Sequence, residues 1–174
     1  MHDPFTGRTV SDSFAIAKYL DETYPQAGPL LLPNGSILLQ RAFISTFEEN
    51  IAKIGPLVFD KSALKFDQEN GKWYCAIIES RMGMKVEDIV PPLGTWEKIR
   101  KWFEKMDAWY EEAGKGLFVM GEEISLADVC VASYLMWMKG IFGEESEEWK
   151  EMMGWNTGRW ARPVDQFKKF EMVV

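Results

Sequence analysis

The sequence predicts a mainly α-helical fold, and three patterns support this prediction. Apolar residues recur at spacings of seven, three, four and three from Ile37 to Ile54, and at three and four from Trp96 to Ala113. A third stretch, from Leu126 to Lys139, is apolar on nearly all sides, as is typical of the buried helix at the centre of a bundle. With 174 residues, the chain is long enough for one main domain with a sizeable core.

The first predicted helix lies within VSDSFAIAKYLDETYP, residues Val10 to Pro25. Ser11 or Asp12 can cap its N-terminus, and Pro25 prevents continuation past Tyr24. Its apolar face is formed by Ile16, Tyr19 and Leu20. Before it, HDPFTGRTV predicts a hairpin turn from Asp3-Pro4 to Gly7 and a short strand from Arg8 to Val10.

The next segments are predicted from their turn and breaker residues. QAGPLLLPNGS has the composition of a linker, after which a helix begins at Asn34 or Ser36 and is halted by Gly55-Pro56. The residues that follow are less regular, with a turn at Asn70-Gly71. A short helix is then predicted from Tyr74 to Arg81, ending at Gly83. A further helix, which contains the apolar residues that recur from Trp96 to Ala113, is predicted over Thr95 to Ala113.

Ser125 and Asp128 have the spacing of a helix capping box, with Ile124 and Val129 at the staple positions. In this pattern the two polar side chains satisfy backbone N–H groups at the helix start. We therefore expect a structural capping role for Ser125 and Asp128. Beyond this helix, five Glu from Glu144 to Glu151 predict a solvated helical face.

Composition excludes several classes of function. The net charge of −7 disfavours nucleic acid and anionic membrane surfaces as partners. The longest apolar run, VCVASYLMWM, is too short to span a bilayer. Cys75 and Cys130 lack the spacing of a disulfide framework or a zinc site, so we expect no metal. One histidine, His2, leaves no ordinary route to a Ser-His-Asp triad. A soluble, cytoplasmic protein is predicted.

Asp12 and Ser13 are candidate binding residues because they stand at a helix N-terminus. Free backbone N–H groups and a hydroxyl can bind a carboxylate, and the Asp12 carboxylate can hold a neighbouring ammonium group. Together they suit the head group of an α-amino acid. The alternative interpretation is that both residues only cap the helix.

Two motifs resemble the glutathione transferase family. The acid-Ser pair Asp12-Ser13, followed by a helix that ends at Tyr24-Pro25, is similar to the end of that family's glutathione-binding domain. The second motif, ISLADVCVASYLMW from Ile124 to Trp137, resembles the core helix of the family's C-terminal domain. The amino-acid sequences of both motifs are most similar to those of fungal, etherase-related transferases. The same holds for the tail WNTGRWARPVDQFKKFE.

The resemblance implies a fold and a division of the chain. Residues 1–25 would be a remnant, the last strand and helix, of a thioredoxin-like glutathione-binding domain. Residues 26–35 would be the linker, and residues 36–174 the all-helical C-terminal bundle. The chain would then lack most of the first domain, including the residue that activates the glutathione thiol, and would be inactive alone. Ser11 and Ser13 lie too close to the wrong helix to replace that residue.

The resemblance also implies a function. Glutathione would be the co-substrate, bound through Asp12 and Ser13, and its thiolate would attack a small electrophile, including aryl ethers. Trp96, Tyr110 and Trp137 are the candidate substrate-pocket residues, and a homodimer is expected. An arginine of the tail could also lie near an anionic substrate, although packing and surface charge explain the tail as well.

A different class of function remains open, that of a non-catalytic helical interaction module on the same scaffold. Such a module would expose an apolar patch where a sheet covers the first helix in the transferases. The patch would consist of Phe14, Ile16, Tyr19 and Leu20.

Overall fold

The computed structural model describes residues 1–33, 35–114 and 116–170, and the fold within these ranges is mainly helical, as predicted. The predicted helix start at Asn34 lies outside the described residues, and Ser36 directly precedes the second helix. The helices are α1 (Ser13–Thr23), α2 (Ile37–Ile51), α3 (Gly55–Ala63), α4 (Gln68–Met82), α5 (Thr95–Glu112), α6 (Leu126–Phe142), α7 (Glu147–Gly158) and α8 (Ala161–Phe167). Short 3-10 turns come after three of these helices, at Ala52–Ile54 after α2, Val86–Asp88 after α4 and Lys168–Phe170 after α8.

The core lies between α5 and α6 and is closed by α2, α3, α7 and α8. Phe103 and Met106 of α5, and Leu135 and Met138 of α6, have no exposed surface. The indole of Trp160 packs edge to face on Phe103, with ring centroids 4.9 Å apart. Among the described residues, none of the helices combines the length and the apolar character needed to cross a bilayer.

The second helix ends at Ile51, three residues before the predicted end at Ile54, and Gly55-Pro56 begins a further helix that the sequence analysis did not predict. The chain passes from α2 through the turn Ala52–Ile54 directly into α3, which begins at Gly55. Pro56 stands in the first turn of α3, where its missing N–H would have no helical partner in any case. The buried stripe continues through Ile54 and Val58, so the core requires helix on both sides of the proline.

The predicted turn at Asn70-Gly71 is wrong, because both residues belong to the first turn of α4. The Asp67 side chain accepts hydrogen bonds from the N–H groups of Glu69 and Asn70, at 3.0 and 2.9 Å. This cap begins the helix six residues before the predicted start at Tyr74. The end was predicted correctly, since Gly83 has the left-handed conformation of a helix C-cap.

The N-terminal ten residues fold as a hairpin against α1. His2 and Thr9 pair across it, and Asp3 lies at its base with 5% of its surface exposed. The Asp3 carboxylate accepts hydrogen bonds from the hydroxyls of Tyr19 and Tyr24, both at 2.5 Å. These contacts bury Tyr19, so the expected exposed face is only partly open. Of that face, Leu20 is 37% exposed, and Phe14 and Ile16 are half-buried.

Candidate functional site

A cleft of about 440 Å³ separates the start of α1 from α2 and α6. The lining residues on α2 and on α6 each recur at helical spacing, so one face of each helix forms a wall. The lining side chains are those of Asp12, Ser13 and Phe14 on α1, of Arg41, Ile44, Ser45 and Glu48 on α2, and of Leu126, Val129, Cys130, Ser133 and Tyr134 on α6. The cleft therefore combines apolar side chains with groups of both charges.

Asp12 is the N-cap of α1, and its backbone lies in a region that residues with a Cβ rarely occupy. Its φ is 77° and its ψ is 131°, which is neither helical nor extended. Its Oδ1 accepts a hydrogen bond of 3.0 Å from the N–H of Ala15. The strained conformation and the cap together fix the carboxylate at the mouth of the cleft, where it is exposed.

Ser13 is the first residue of α1 and is also exposed at the cleft. Its hydroxyl has no hydrogen-bond partner among the residues that the structure describes. Both predicted binding residues therefore lie on the same wall of one cleft. The pairing of a carboxylate with an open hydroxyl at a helix N-terminus is chemistry that suits a zwitterionic head group.

The opposite wall carries two charged residues that the sequence analysis did not single out. The Arg41 guanidinium lies over the ring of Phe14, 4.7 Å from its centroid, and so joins α2 to α1. Glu48 is seven residues further along the same face of α2. The spacing of Arg41, Ile44, Ser45 and Glu48, at i, i+3, i+4 and i+7, is the signal that could have placed them together.

Cys130 and Tyr134 of α6 lie one turn apart in the cleft. Burial raises the pKa of the Cys130 thiol to about 12, so this sulfur stays protonated near neutral pH and is a poor nucleophile. Burial also raises the pKa of the Tyr134 hydroxyl, which keeps it a neutral donor. The Tyr134 ring packs edge to face on Phe47, with centroids 5.4 Å apart.

The linker segment holds the walls of the cleft at a fixed separation. The Asp21 carboxylate of α1 accepts hydrogen bonds from the N–H groups of Leu31 and Leu32, at 3.1 and 2.7 Å. The Leu31 carbonyl in turn accepts from the N–H of Leu126, at 2.8 Å. The end of α1 is therefore tied through the linker to the start of α6.

Ser125 and Asp128 form a capping box at the start of α6. The Asp128 carboxylate accepts hydrogen bonds from the backbone N–H and the hydroxyl of Ser125, at 2.9 and 2.6 Å, and from the N–H of Val119 at 2.7 Å. Burial raises the pKa of this carboxyl in opposition to those three donors. The three hydrogen bonds of this carboxylate go to the helix start and to the neighbouring loop, which is a structural arrangement.

The three candidate substrate-pocket residues lie outside the lining of the cleft. Trp96 packs between Phe142 and Trp155, with centroid distances of 5.9 and 5.3 Å. Tyr110 is buried, and the Cζ atom of the Arg159 guanidinium lies over its ring, 5.2 Å from the ring centroid. Trp137 is 39% exposed, and its ring packs edge to face on the Tyr134 ring, with centroids 6.2 Å apart. It therefore flanks the cleft wall.

Arg159 of the tail has a structural role. Its side chain is 8% exposed and forms ion pairs with Asp107 and Glu111 of α5. The Arg159 Nη2–Oε1 distance to Glu111 is 2.5 Å. The interpretation of the tail as packing therefore accounts for this arginine.

The comparisons with known proteins identify the class of fold. The sequence profile described as glutathione S-transferase, C-terminal domain, matches residues 39–170. This range covers most of the chain, so the protein belongs to the glutathione S-transferase C-terminal domain family. No curated protein matched the sequence.

Solved structures extend the similarity over nearly the whole chain. A glutathione S-transferase of Ceriporiopsis subvermispora, crystallised in complex with glutathione, is 34% identical, with a TM-score of 0.92 over 99% of this chain and 71% of the other. The glutathione transferase GSTFuA3 of Phanerochaete chrysosporium is 32% identical, with a TM-score of 0.91 over 99% and 70%. Both are fungal transferases, and the matched region includes the hairpin and α1.

Proposed function

We propose that this protein binds glutathione at the start of α1 and presents it to an electrophile in the adjoining cleft. The Asp12 carboxylate would pair with the ammonium group of the γ-glutamyl residue. The Ser13 hydroxyl and the backbone N–H groups at the helix start would bind its carboxylate. The observation that carries this proposal is that Asp12 and Ser13 lie together on the wall of the cleft, at a helix N-terminus.

Two further observations support it. The strained backbone of Asp12 fixes a carboxylate beside an open hydroxyl, and strain of this kind is retained mainly at functional positions. The similar structures from Ceriporiopsis subvermispora were crystallised in complex with glutathione. Structural capping explains the Asp12 contact with Ala15, and Ser13 adds a second polar group beside it on the cleft wall.

The proposed reaction, where a thiol-activating residue is also supplied, is transfer of the glutathionyl group to carbon. The thiolate forms a C–S bond to an electrophilic carbon, the bond to the leaving group breaks, and the thiol proton is released to solvent. For an aryl ether, the leaving group is a phenolate, which takes up a proton. The cleft would hold the aromatic part of the substrate beside Tyr134, with Trp137 flanking it. We assign no residue of the cleft to thiol activation.

Calorimetric titration with glutathione tests the binding step. We expect saturable binding by the unmodified protein and loss of at least about tenfold in affinity in the double variant Asp12→Ala, Ser13→Ala. The matched control is Asp60→Ala, Ser80→Ala, which removes the same groups from exposed positions on α3 and α4. It should bind as the unmodified protein does.

Cysteinylglycine, which lacks the γ-glutamyl residue, separates recognition of that residue from general thiol binding. Its affinity should be weak and the same in all three proteins. Equal binding of glutathione and cysteinylglycine, or equal binding of glutathione by both double variants, would contradict the proposal. A homodimer and a cytoplasmic location stay predictions.

A further inference from the structure

The described lining of the cleft contains one cationic side chain, that of Arg41. The carboxylates of the same lining are those of Asp12 and Glu48. Glutathione carries two carboxylates and one ammonium group near neutral pH and is therefore a net anion. In a chain whose net charge is −7, a cleft with two carboxylates and no cation would repel this ligand. The positive charge of Arg41 offsets that repulsion inside the cleft.

Packing places the Arg41 guanidinium at the α1 end of the cleft. Its Cζ atom lies over the ring of Phe14, 4.7 Å from the ring centroid. Phe14 directly follows Ser13, the first residue of α1. Glu48 is two helical turns further along α2, a distance of about 10 Å along the helix axis. The cation is therefore held beside the start of α1, where the proposed γ-glutamyl site lies.

The charge of Arg41 is not neutralised by a described residue. Its side chain has no ion pair and no hydrogen bond within the described ranges, and the ring of Phe14 is uncharged. Asp12 lines the same cleft, but no ion pair joins these two described residues. The α1 end of the cleft thus presents a cation and an anion that are both open to a ligand with charges of both signs.

Further hydrogen-bond donors lie beside this cation. The N–H groups of Ala15 and Ile16 donate to the side chain and to the carbonyl of Asp12, at 3.0 and 2.9 Å. The N–H groups of Ser13 and Phe14, which come first in the helix, have no acceptor among the described residues. A carboxylate at this position would therefore receive hydrogen bonds from backbone N–H groups as well as from the guanidinium.

We propose that Arg41 recognises the α-carboxylate of the γ-glutamyl group, an inference that rests on the proposed binding of glutathione at α1. Asp12 holds the ammonium group, and Arg41 holds the carboxylate together with the Ser13 hydroxyl. Each charge of the α-amino acid head group then has a partner of opposite sign. Arg41 is a positioning residue, because it orients the head group and takes no part in transfer of the glutathionyl group.

The position of Arg41 favours the α-carboxylate over the glycyl carboxylate, which is the second anionic group of glutathione. The α-carboxylate and the ammonium group are attached to the same carbon atom, so a ligand held by Asp12 has its α-carboxylate close to the start of α1. The glycyl carboxylate is at the other end of the tripeptide. Since the guanidinium stacks on Phe14, it lies on the side of the α-carboxylate. The cleft should therefore select γ-glutamyl compounds with an intact α-amino acid head group.

Two analogues of glutathione separate the charges of the head group. 4-Aminobutyrylcysteinylglycine lacks the α-carboxylate and keeps the ammonium group, whereas glutarylcysteinylglycine lacks the ammonium group and keeps the carboxylate. In calorimetric titration of the unmodified protein, we expect each analogue to bind about tenfold more weakly than glutathione, because one charge-assisted contact is lost.

Variants of the two charged residues should respond to different analogues. In Arg41→Gln we expect the affinities for glutathione and for the glutaryl analogue to fall about tenfold. Affinity for the 4-aminobutyryl analogue should change less than about twofold, since it has no α-carboxylate to lose. Asp12→Asn should weaken glutathione binding but not binding of the glutaryl analogue. Arg41→Lys keeps the charge without the planar guanidinium and should restore part of the affinity for glutathione.

The matched control is Arg81→Gln, which removes the same charge from an exposed position on α4. It should change each affinity less than about twofold. Equal weakening of glutathione and of the 4-aminobutyryl analogue in Arg41→Gln would assign the arginine to the glycyl carboxylate or to support of Phe14, and would overturn the inference. The same loss of glutathione affinity in Arg81→Gln would reduce the effect to net charge and would also overturn it.

The same titrations distinguish failure of this inference from failure of the proposed function. If Asp12→Asn and the double variant Asp12→Ala, Ser13→Ala bind glutathione as the unmodified protein does, the proposed function fails and this inference fails with it. If those variants lose affinity while Arg41→Gln does not, glutathione binding at α1 stands and only the assignment of Arg41 is wrong.

Discussion

Gln40 and Ala127 are 87 positions apart in the chain and are joined by a hydrogen bond of 3.0 Å from the Ala127 N–H to the Gln40 Oε1. The Gln40 Nε2 donates to the Leu31 carbonyl at 3.0 Å and to the Ser36 hydroxyl at 2.9 Å. The side chain is 1% exposed, so all these bonds are shielded from water. One amide thus connects the linker to α2 and to the start of α6, and these two helices carry lining residues of the cleft.

Replacing Gln40 by leucine should destabilise the protein. The change keeps a similar volume but leaves the Ala127 N–H buried without an acceptor, at a cost of about 1–3 kcal/mol in the free energy of unfolding. Urea unfolding followed by circular dichroism would measure it. Gln68→Leu, at the exposed start of α4, is the control and should change the free energy by less than about 0.5 kcal/mol. A loss as small as that of the control would contradict the role assigned to Gln40.

Neutralising Asp107 should destabilise the packing of the tail on α5. Arg159, with 8% of its side chain exposed, would lose one of its two described carboxylate partners. We expect Asp107→Asn to lower the free energy of unfolding by about 1–3 kcal/mol. Glu104→Gln, on the same helix but 3.8 Å from an exposed Arg100, should have an effect of less than about 0.5 kcal/mol. Equal effects would show that the buried ion pair contributes no more than a surface pair.

The Asp3 carboxyl should make stability depend on acidity. Hydrogen bonds from Tyr19 and then Tyr24 hold the pKa of Asp3 well below its ordinary value of 3.8. The folded state thus binds this proton less readily than the unfolded state, so the contribution is full above pH 3.8 and is lost as the pH falls. The difference in Tm between the unmodified protein and Asp3→Asn should therefore shrink from pH 7 to pH 3. A constant difference would show that ionisation of Asp3 is not involved.

Tyr24 should produce the opposite dependence on the alkaline side. Its hydrogen bond to Asp3, with burial, raises the pKa of Tyr24 from 10.0 to about 12. The folded state retains this proton, so its contribution is full below pH 10 and falls as the pH rises toward 12. The Tm difference between the unmodified protein and Tyr24→Phe should be larger at pH 8 than at pH 11. A Tm difference that is the same at pH 8 and pH 11 would contradict this role of Tyr24.

The sequence predicted the helices with a single buried stripe well. The helix expected over Thr95 to Ala113 lies at Thr95–Glu112, because its apolar spacing and the glycines after it give the same boundaries. The sequence predicted the helix boundaries less well near residues that favour turns. At Asn70-Gly71, turn residues stand inside a helix, because the Asp67 cap outweighs their local preference. At Gly55-Pro56, the two residues begin a helix, which a proline in the first turn allows.

The sequence predicted only those residues of the candidate site that lie at the start of α1. Asp12 and Ser13 follow from a motif that is local in sequence, and both line the cleft. Arg41 and Tyr134 were not predicted, because their proximity depends on how α2 and α6 pack against α1, which no local pattern encodes. For the same reason, Trp96 and Tyr110 were given as candidate substrate-pocket residues, whereas Tyr110 belongs to the core and Trp96 packs against it. The division at residues 26–35 stays a prediction.

The backbone of Asp12 allows stability and glutathione binding to be separated, given the proposed function. Its φ of 77° is strained for aspartate but ordinary for glycine. In Asp12→Gly, relief of that strain should outweigh loss of the side-chain cap to Ala15, because glycine is itself a tolerated N-cap. We therefore expect the free energy of unfolding to rise by about 1 kcal/mol.

Glutathione affinity should change in the opposite direction, falling by at least about tenfold in Asp12→Gly, because the carboxylate that pairs with the ammonium group is gone. Asp12→Asn retains an acceptor for the Ala15 N–H and the strained backbone but removes the charge. It should lose affinity with little change in stability. Urea unfolding and glutathione titration of both variants give the two quantities. If Asp12→Gly proved both more stable and equally tight in binding, the strain at Asp12 would serve neither folding nor glutathione recognition.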